Sequence, residues 1–429
     1  MNSFKIFFPF LLCTSVVFGQ EVLTLDKAIE TSLENNNLLQ ISKKQKDISA
    51  TDFTIGNAGY LPTVNLLAGN SLASTNIHQE LFSGAVIDRN GARQTNWNAN
   101  LGLNWVLFDG FRRNNMYSRL QATYDKASTQ TKVEMENAVA NVSKAYFELV
   151  RQQEIALAYQ NNLVLYQDRL RLAEARQQSG LASKSDVLLT KVDINSQRSV
   201  LIRQQTNVEN ARIAVNRVLS RDANVALDVS TEERKPSTDT SLTYSGKATS
   251  LLVSEKDITI ASKQYSENNS VYLPRLSFTT AYNFSQQKSQ AGQLLLNRSA
   301  GLNAGFVLNW SLFDGFNKNR QRDIGRLRID ISRLLHEENK RTQLAAYQTA
   351  LVQYRNAIKI LALETESYSL AKESNDIAKE RYQGGNINLF EYKETQKSLE
   401  DTKVRLANAR FDALSAEVEL KRLNGELVK

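Results

Sequence analysis

Leu103-Asn104-Trp105-Val106-Leu107-Phe108-Asp109-Gly110-Phe111 is written again, almost unchanged, as Leu308-Asn309-Trp310-Ser311-Leu312-Phe313-Asp314-Gly315-Phe316. The offset is 205 residues, and other pairs keep it. Arg176-Gln177-Gln178-Ser179-Gly180 falls on Arg381-Tyr382-Gln383-Gly384-Gly385, Asp186 falls on Glu391, and Asn216-Arg217-Val218 falls on Lys421-Arg422-Leu423. A second anchor, Tyr60-Leu61-Pro62, recurs as Tyr272-Leu273-Pro274 at an offset of 212. A constant offset over so long a stretch marks an internal duplication rather than a convergent turn. Two copies are too few and too long for a solenoid.

Before each Asp-Gly the chain alternates with period two. Trp97, Ala99, Leu101, Leu103, Trp105 and Leu107 share one face, and Asn98, Asn100, Gly102, Asn104 and Val106 the other. In copy two, Leu302, Ala304, Phe306, Leu308, Trp310 and Leu312 oppose Asn303, Gly305, Val307, Asn309 and Ser311. The outgoing strand sets Leu276, Phe278, Tyr282 and Phe284 against Arg275, Ser277, Ala281 and Asn283. Strands of about 10 residues with one apolar face are what a tilted membrane strand needs, although a soluble sheet on a core also alternates. Each tryptophan alone reads equally well as core packing; their paired placement favours lipid headgroups. Trp97 and Trp105 lie about 19 Å apart in height at a ~45° tilt, near the spacing of two interfacial girdles, and Trp310 repeats Trp105.

Outside these strands the period is helical. A helix is expected from Leu25 to Asn57, ended by Pro62. Asp109-Gly110 and Asp314-Gly315 break the strands, and long helices are expected over Asn114–Gln178 and Asn317–Gln383, each roughly 100 Å long. Met135, Val139, Val142, Tyr146 and Leu149, and Leu344, Tyr347, Leu351, Tyr354, Ile358 and Leu361, step by threes and fours, as a coiled-coil seam does. Gly180 and Gly384-Gly385 end the long helices. Shorter ones return over Lys184–Leu219 and Asn388–Leu423. Two short helices nearly equal one long one in length, so they can stack end to end beside it.

Only 4 Pro and 18 Gly in 429 residues agree with long uninterrupted elements. One Cys and two His (His78 and His336) argue against a disulfide scaffold, a zinc cluster or any other bound metal, and His336 reads as an exposed helix residue. The net charge of +8 is not gathered into a basic patch, so nucleic acid is not expected. There is no phosphate loop, nucleophile elbow or paired-histidine motif, so neither catalysis nor a cofactor is expected. Met1–Gln20 has the layout of an export signal, with Lys5 before the apolar run Ile6–Phe18 and then Gly19. The expected organisation is a signal over residues 1–20, a first repeat over 21–220, an irregular outer linker over 221–246 holding Pro236, and a second repeat over 247–429. Four strands cannot close a membrane barrel, and open edges cannot face lipid, so the chain must oligomerise.

Tyr-Leu-Pro before a strand, Leu-Phe-Asp-Gly-Phe after it, and Arg-Tyr-x-x-Gly at a helical hairpin resemble the TolC-type outer-membrane efflux proteins. The resemblance spans residues 21–429 in both copies. Leu23-Thr24-Leu25-Asp26-Lys27-Ala28-Ile29 with Asn35-Asn36-Asn37 is similar to that family's mature start. The resemblance implies a mainly α fold with a membrane β-barrel part: a homotrimer, twelve strands in the outer membrane and a twelve-helix tunnel in the periplasm. It further implies a passive exit duct for efflux or type I secretion, docked to a periplasmic adaptor and an inner-membrane pump.

Matched residue by residue, the tunnel's closing end falls on Ser185, Asp186, Tyr382, Glu391 and Glu394. Three-fold symmetry would turn Glu391 and Glu394 into two acidic rings, where a lone chain would show a solvated helix face. Ser179, Gly180, Leu181, Gly384, Gly385 and Asn386 are the expected adaptor contacts. Pro62, Asp109, Gly110, Pro274, Asp314 and Gly315 mark the helix–strand junctions. The family's restraining arginine corresponds here to Ile387, which leaves Lys184 or Arg381 as substitutes. A periplasmic coiled-coil adaptor or structural protein is the rival reading. It accounts for the helices but not for strands with a lipid-type face.

Overall fold

The computed structural model describes residues 22–180, 182–230, 234–237, 243–290 and 294–428. The expected export signal and Leu181 lie outside them. In chain order the elements are α1 (Leu25–Asn35), α2 (Asn37–Asp52), β1 (Thr63–Glu80), β2 (Val86–Phe108), α3 (Arg112–Gln178), α4 (Lys184–Val218), α5 (Thr249–Asn269), β3 (Arg275–Ser289), β4 (Leu296–Asn309), α6 (Asn317–Gln383) and α7 (Leu389–Asn424). Two compact units cut across the two copies. The sheet unit takes Ser42–Thr131 and Thr249–Thr342; the helical unit takes Met1–Ile41, Lys132–Ala248 and Gln343–Lys429.

In the sheet unit the four strands lie in chain order, and all neighbours are antiparallel. The strands run to 18, 23, 15 and 14 residues, longer than the expected ten or so. The first hairpin shows why. Beyond the apolar band its strands continue as polar sequence (Thr75, Asn76, His78, Asp88, Arg89), which keeps the backbone ladder without needing a lipid face. Register puts Leu66, Leu101, Tyr282 and Leu302 in one row across all four strands. Among the described residues nothing covers this row: Leu66 is 72% and Leu302 73% exposed. The other face is polar, and the amides of Asn100, Asn283 and Asn303 bond in sequence across three strands.

The duplicated nonapeptide closes each strand in the same way. Gly110 and Phe111 take left-handed φ of 68° and 65°, and Gly315 and Phe316 repeat both values. Such a φ is uncommon for a bulky residue. An edge-to-face contact of 5.5 Å, Phe108 on Phe111 and Phe313 on Phe316, accompanies it in each copy. The Asp109 carboxylate accepts the Arg113 N–H at 3.1 Å, and Asp314 accepts that of Lys318 at 3.0 Å, capping α3 and α6. The indole N–H of Trp105 donates to the Tyr60 carbonyl at 3.0 Å, and that of Trp310 to the Tyr272 carbonyl at 3.2 Å. The two sequence anchors are therefore one structural joint, made twice. Pro62 and Pro274 stand just past those tyrosines and open β1 and β3.

Around the sheet, α3 is flanked by α2 and α5. Phe53 stacks near Tyr117 at 4.7 Å on the α2 side. On the α5 side, Glu267, 5% exposed, takes Arg112 at 3.2 Å and Arg119 at 2.8 Å. His336 is not the exposed helix residue expected; it is half-buried, with Nδ1 2.8 Å from the Ser254 hydroxyl of α5.

The helical unit packs α3, α4, α6 and α7 with α1. Val142, Tyr146 and Leu149 of the predicted seam are buried, joined by Val215 and Leu219. In the second copy Tyr347 and Tyr354 are buried, while Leu344 is 41% exposed. The first helix is not continuous. Asn36 ends α1 and accepts the Leu39 N–H at 3.1 Å, so it caps α2. The Asn36 amide also donates to the Val218 carbonyl at 3.4 Å, bringing the end of α4 to the start of α2, as end-to-end stacking requires. The linker is more than an outer strap. Val229 is 3% exposed and pairs with Leu23 in a parallel bridge, and the Tyr146 hydroxyl donates to both Leu23 and Ser230 carbonyls.

Candidate functional site: the helical hairpin ends

The ends of α3 and α6 and the starts of α4 and α7 gather most of the predicted residues. Both turns follow from local chemistry. Gly180 adopts φ 75° and Gly385 φ 79°, a region L side chains avoid. Asn386 N–H closes back on the Arg381 carbonyl at 2.9 Å and Gly385 on Tyr382 at 3.2 Å, satisfying the last carbonyls of α6. Ser179 and Gly180 are exposed, as are Gly384, Gly385 and Asn386.

The carboxylates at the helix starts have local partners. Ser183 and Asp186 form a reciprocal capping box, with contacts of 3.0 and 3.2 Å. Asn388 caps α7 by accepting the Glu391 N–H at 2.9 Å, while its amide donates to the Glu391 carboxylate at 2.9 Å. Both acids thus sit where a helix N-terminus favours negative charge. Ser185, Glu391 and Glu394 are exposed and Asp186 is half-buried.

Tyr382 is different: 2% exposed, it stacks on the equally buried Tyr392 at 5.2 Å. Burial pushes both hydroxyls upward in pKa, against the pull of Arg176 on Tyr382 and of Arg169 on Tyr392. Ile387 packs against this pair with Leu172 and Leu389. The position that the resemblance matches to a restraining arginine therefore lies in an apolar cluster. Lys184 and Arg381 are both exposed. At the turns themselves Arg176 joins the two hairpins: its guanidinium donates to the Tyr382 carbonyl at 2.7 Å and lies 4.8 Å from its ring.

Further along the same helices is a polar core that the sequence reading missed. Arg169 of α3 has no exposed side-chain surface. It donates to Asp193 of α4 at 2.6 Å and to Gln396 of α7 at 2.8 Å, and lies 4.6 Å over Tyr166. Lys393 joins Asp193 at 2.8 Å. The Tyr166 hydroxyl donates to the buried Glu400 at 3.2 Å. A signal existed: Arg169 and Gln396 fall on inward positions of their helices, where a polar residue needs a partner.

Glu400 carries a pH consequence. Burial raises its pKa, and Lys397 and the Tyr166 hydroxyl only partly oppose this. A carboxyl raised in the folded state contributes stability that is present below its unfolded pKa and lost as pH rises through the folded value. Glu400→Gln keeps an acceptor for Tyr166 and removes the buried charge. Its thermal midpoint should exceed wild type at pH 7.5 and converge with it near pH 4. Equal midpoints at both pH values would refute the assignment.

The whole chain has known relatives. The family model described as outer membrane efflux protein matches residues 28–221 and 246–426, one stretch in each copy. Outer membrane efflux protein BepC of Brucella suis biovar 1 (strain 1330) is 22% identical over 211 residues, which is 49% of this chain. The matched stretch spans 43% of that relative's length. Among solved structures, the CusC channel superposes with a TM-score of 0.78 at 16% identity, covering 93% of this chain and 91% of that one. The Campylobacter jejuni CmeC outer membrane channel gives 0.75 at 19%, covering 94% and 86%. The Vibrio cholerae outer membrane protein VceC gives 0.74 at 15%, covering 94% and 96%. With most of both copies inside the family model, and the fold shared over more than nine-tenths of the chain with these outer-membrane proteins, the chain belongs to the outer membrane efflux protein family.

Proposed function

We propose that three copies of this chain form the outer-membrane exit duct of an efflux or secretion assembly, passive in itself and driven by an inner-membrane pump through a periplasmic adaptor. The observation that carries this is the four-stranded sheet: one face apolar and uncovered, one face lined by asparagine, and two open edges. An open edge cannot remain in lipid, and twelve strands close a barrel of a size bacteria use. The asparagine face then lines water and the apolar face meets acyl chains, with Trp97, Trp105 and Trp310 at the interfaces. Twelve helical columns would continue the duct. Its closing end would be the Tyr382–Tyr392 plug with Arg176, and Ser179, Gly180, Leu181, Gly384, Gly385 and Asn386 would meet the adaptor. The chain should fractionate with outer membranes, run as a trimer in mild detergent, and conduct ions in planar bilayers. Recovery as a soluble monomer would refute the proposal.

Glu391 and Glu394 would repeat around the three-fold axis as two acidic rings. Glu391→Gln with Glu394→Gln should reduce cation over anion preference by a few-fold, read from reversal potentials under a salt gradient. Unchanged reversal potentials would return both residues to helix capping alone.

A further inference from the structure

We infer that Arg93, Lys288 and Arg298 form a binding row for a phosphorylated glycolipid of the outer leaflet, on the apolar face of the sheet. The inference rests on the proposed barrel and goes beyond it by naming the lipid chemistry that its outer rim recognises.

Arg93 of β2 and Arg298 of β4 stand 205 residues apart, so they are one position written twice. Each lies twelve residues from its copy's tryptophan, Trp105 or Trp310, and so on the tryptophan's face. At ~3.3 Å per residue and a ~45° tilt that is about 28 Å of height, just past the ~25 Å apolar band of a membrane barrel. The helices leave the sheet at the tryptophan end, so the arginines stand on the outer side. Lys288 of β3 joins them. Trp105 and Trp310 share one level of the proposed barrel, yet the ladder row through Trp105 runs to Phe278 and Phe306, four residues above Trp310. A level line therefore drops two residues on each strand crossed. Beside Arg93 on β3 is Gln290, whose N–H donates to the Arg93 carbonyl at 3.0 Å, so the line passes to Lys288. Lys288 lies opposite Leu296, so the line passes on to Arg298. Neighbours along it are diagonal pairs, roughly 7–8 Å apart.

All three side chains are exposed, and among the described residues no carboxylate pairs with any of them. Arg298 Nε and Nη2 donate to the Gln286 amide oxygen at 3.1 and 2.8 Å, which holds the guanidinium along the sheet. The four strands contain two acids, Glu80 and Asp88, and both stand further out, 3.7 and 3.5 Å from the His78 ring nitrogens. Cations without acidic partners are costly on a lipid face at mid-bilayer and nearly neutral at its interface, which matches their height. The outer leaflet of an outer membrane supplies the complement: a disaccharide carrying two phosphates above its acyl chains. Guanidinium forks fit phosphate oxygens in pairs, and two phosphates on one head can be met by different cations of the row. The uncovered side chains of Leu101, Tyr282 and Leu302 lie below for the acyl chains. Thr95 and Gln286, on the same face, offer a hydroxyl and an amide to the sugar. A lipid with a single phosphate engages only part of this row. The occupant is therefore a bisphosphorylated glycolipid.

The test uses the full-length chain purified in detergent and titrated with three probes: hexa-acyl lipid A with both phosphates, its monophosphoryl form, and dioleoyl phosphatidylglycerol. Native mass spectrometry counts the bound lipid. Wild type should bind the bisphosphorylated lipid roughly tenfold more tightly than phosphatidylglycerol, with the monophosphoryl form between them. Arg93→Gln and Arg298→Gln should weaken it equally, roughly fivefold each, because they stand at one height. Both together with Lys288→Gln should weaken it roughly a hundredfold. Arg275→Gln, on the opposite face of β3, should leave it unchanged. The same spectra report whether each variant is still a trimer, and the single variants carry the test if the triple one fails to assemble. A wild-type trimer that binds lipid A no better than phosphatidylglycerol overturns the inference and leaves the proposed function standing. So do single variants with wild-type affinity, or an equal loss in Arg275→Gln. A wild-type monomer by native mass overturns both.

Discussion

Gly110→Ala should nearly abolish assembly-competent protein, while Gly315→Ala in an isolated chain should be mild. Both glycines sit at φ 68°, so each alanine incurs the left-handed cost of about 1–2 kcal/mol. Their surroundings differ. A Cβ on Gly110 would lie 2.6 Å from the Ser270 carbonyl oxygen and 2.8 Å from Leu273 Cβ. The oxygen is backbone and cannot swing aside, so the junction between β2 and α3 must shift against that between α5 and β3. Overpacking of this kind adds roughly 1–3 kcal/mol, for a total of roughly 2–5 kcal/mol. At Gly315 the nearest atom is the Asn317 amide nitrogen at 3.9 Å. Thermal unfolding of the monomeric form should separate the two variants widely. Equal effects in the monomer would contradict the Ser270 contact.

The contrast shows what the sequence carried. The duplication and the alternation of helical and strand segments in each copy were legible because periodicity and breakers are local properties. Tyr-Leu-Pro and Leu-Phe-Asp-Gly-Phe stood out as two separate motifs; that the tryptophan of one donates to the tyrosine carbonyl of the other needed the fold. Strand length was underestimated because the lipid-type pattern ends before the backbone ladder does. The break at Asn36 was hidden because an asparagine cap does not disturb the helical period on either side. At the hairpin ends, glycine spacing located the turns, and the resemblance pointed to Tyr382, whose burial only the fold shows. Nothing pointed to Arg176 and Arg169, since an arginine on an amphipathic helix looks solvent-facing until its neighbours are known. The acidic residues were singled out for the tunnel's closing end; what the fold shows of Asp186 and Glu391 is that both belong to helix caps.

Arg169→Leu should cost the helical unit about 3–5 kcal/mol, the range for breaking a buried ion pair by removing one partner. From α3 the guanidinium bonds α4 and α7 at once, through Asp193 and Gln396. Leucine fills part of the volume but leaves the Gln396 carbonyl, in a residue 1% exposed, without its donor. Asp193 fares better, because Lys393 remains 2.8 Å away, which places the expected cost nearer the lower bound. Arg169→Lys should be intermediate, since a point charge cannot fork to two acceptors on different helices. The pair can be separated from its surroundings by a double-mutant cycle with Asp193→Leu. The double variant should be less destabilised than the sum of the singles, because two apolar side chains no longer bury an unmatched charge. The readouts are the thermal midpoint and the rate of proteolysis at the turns around Gly180 and Gly385. Both should move together, because the same three helices that Arg169 joins lead into those turns. Wild-type midpoints for Arg169→Leu, or simple additivity in the cycle, would show that the network is not what fastens the hairpin ends.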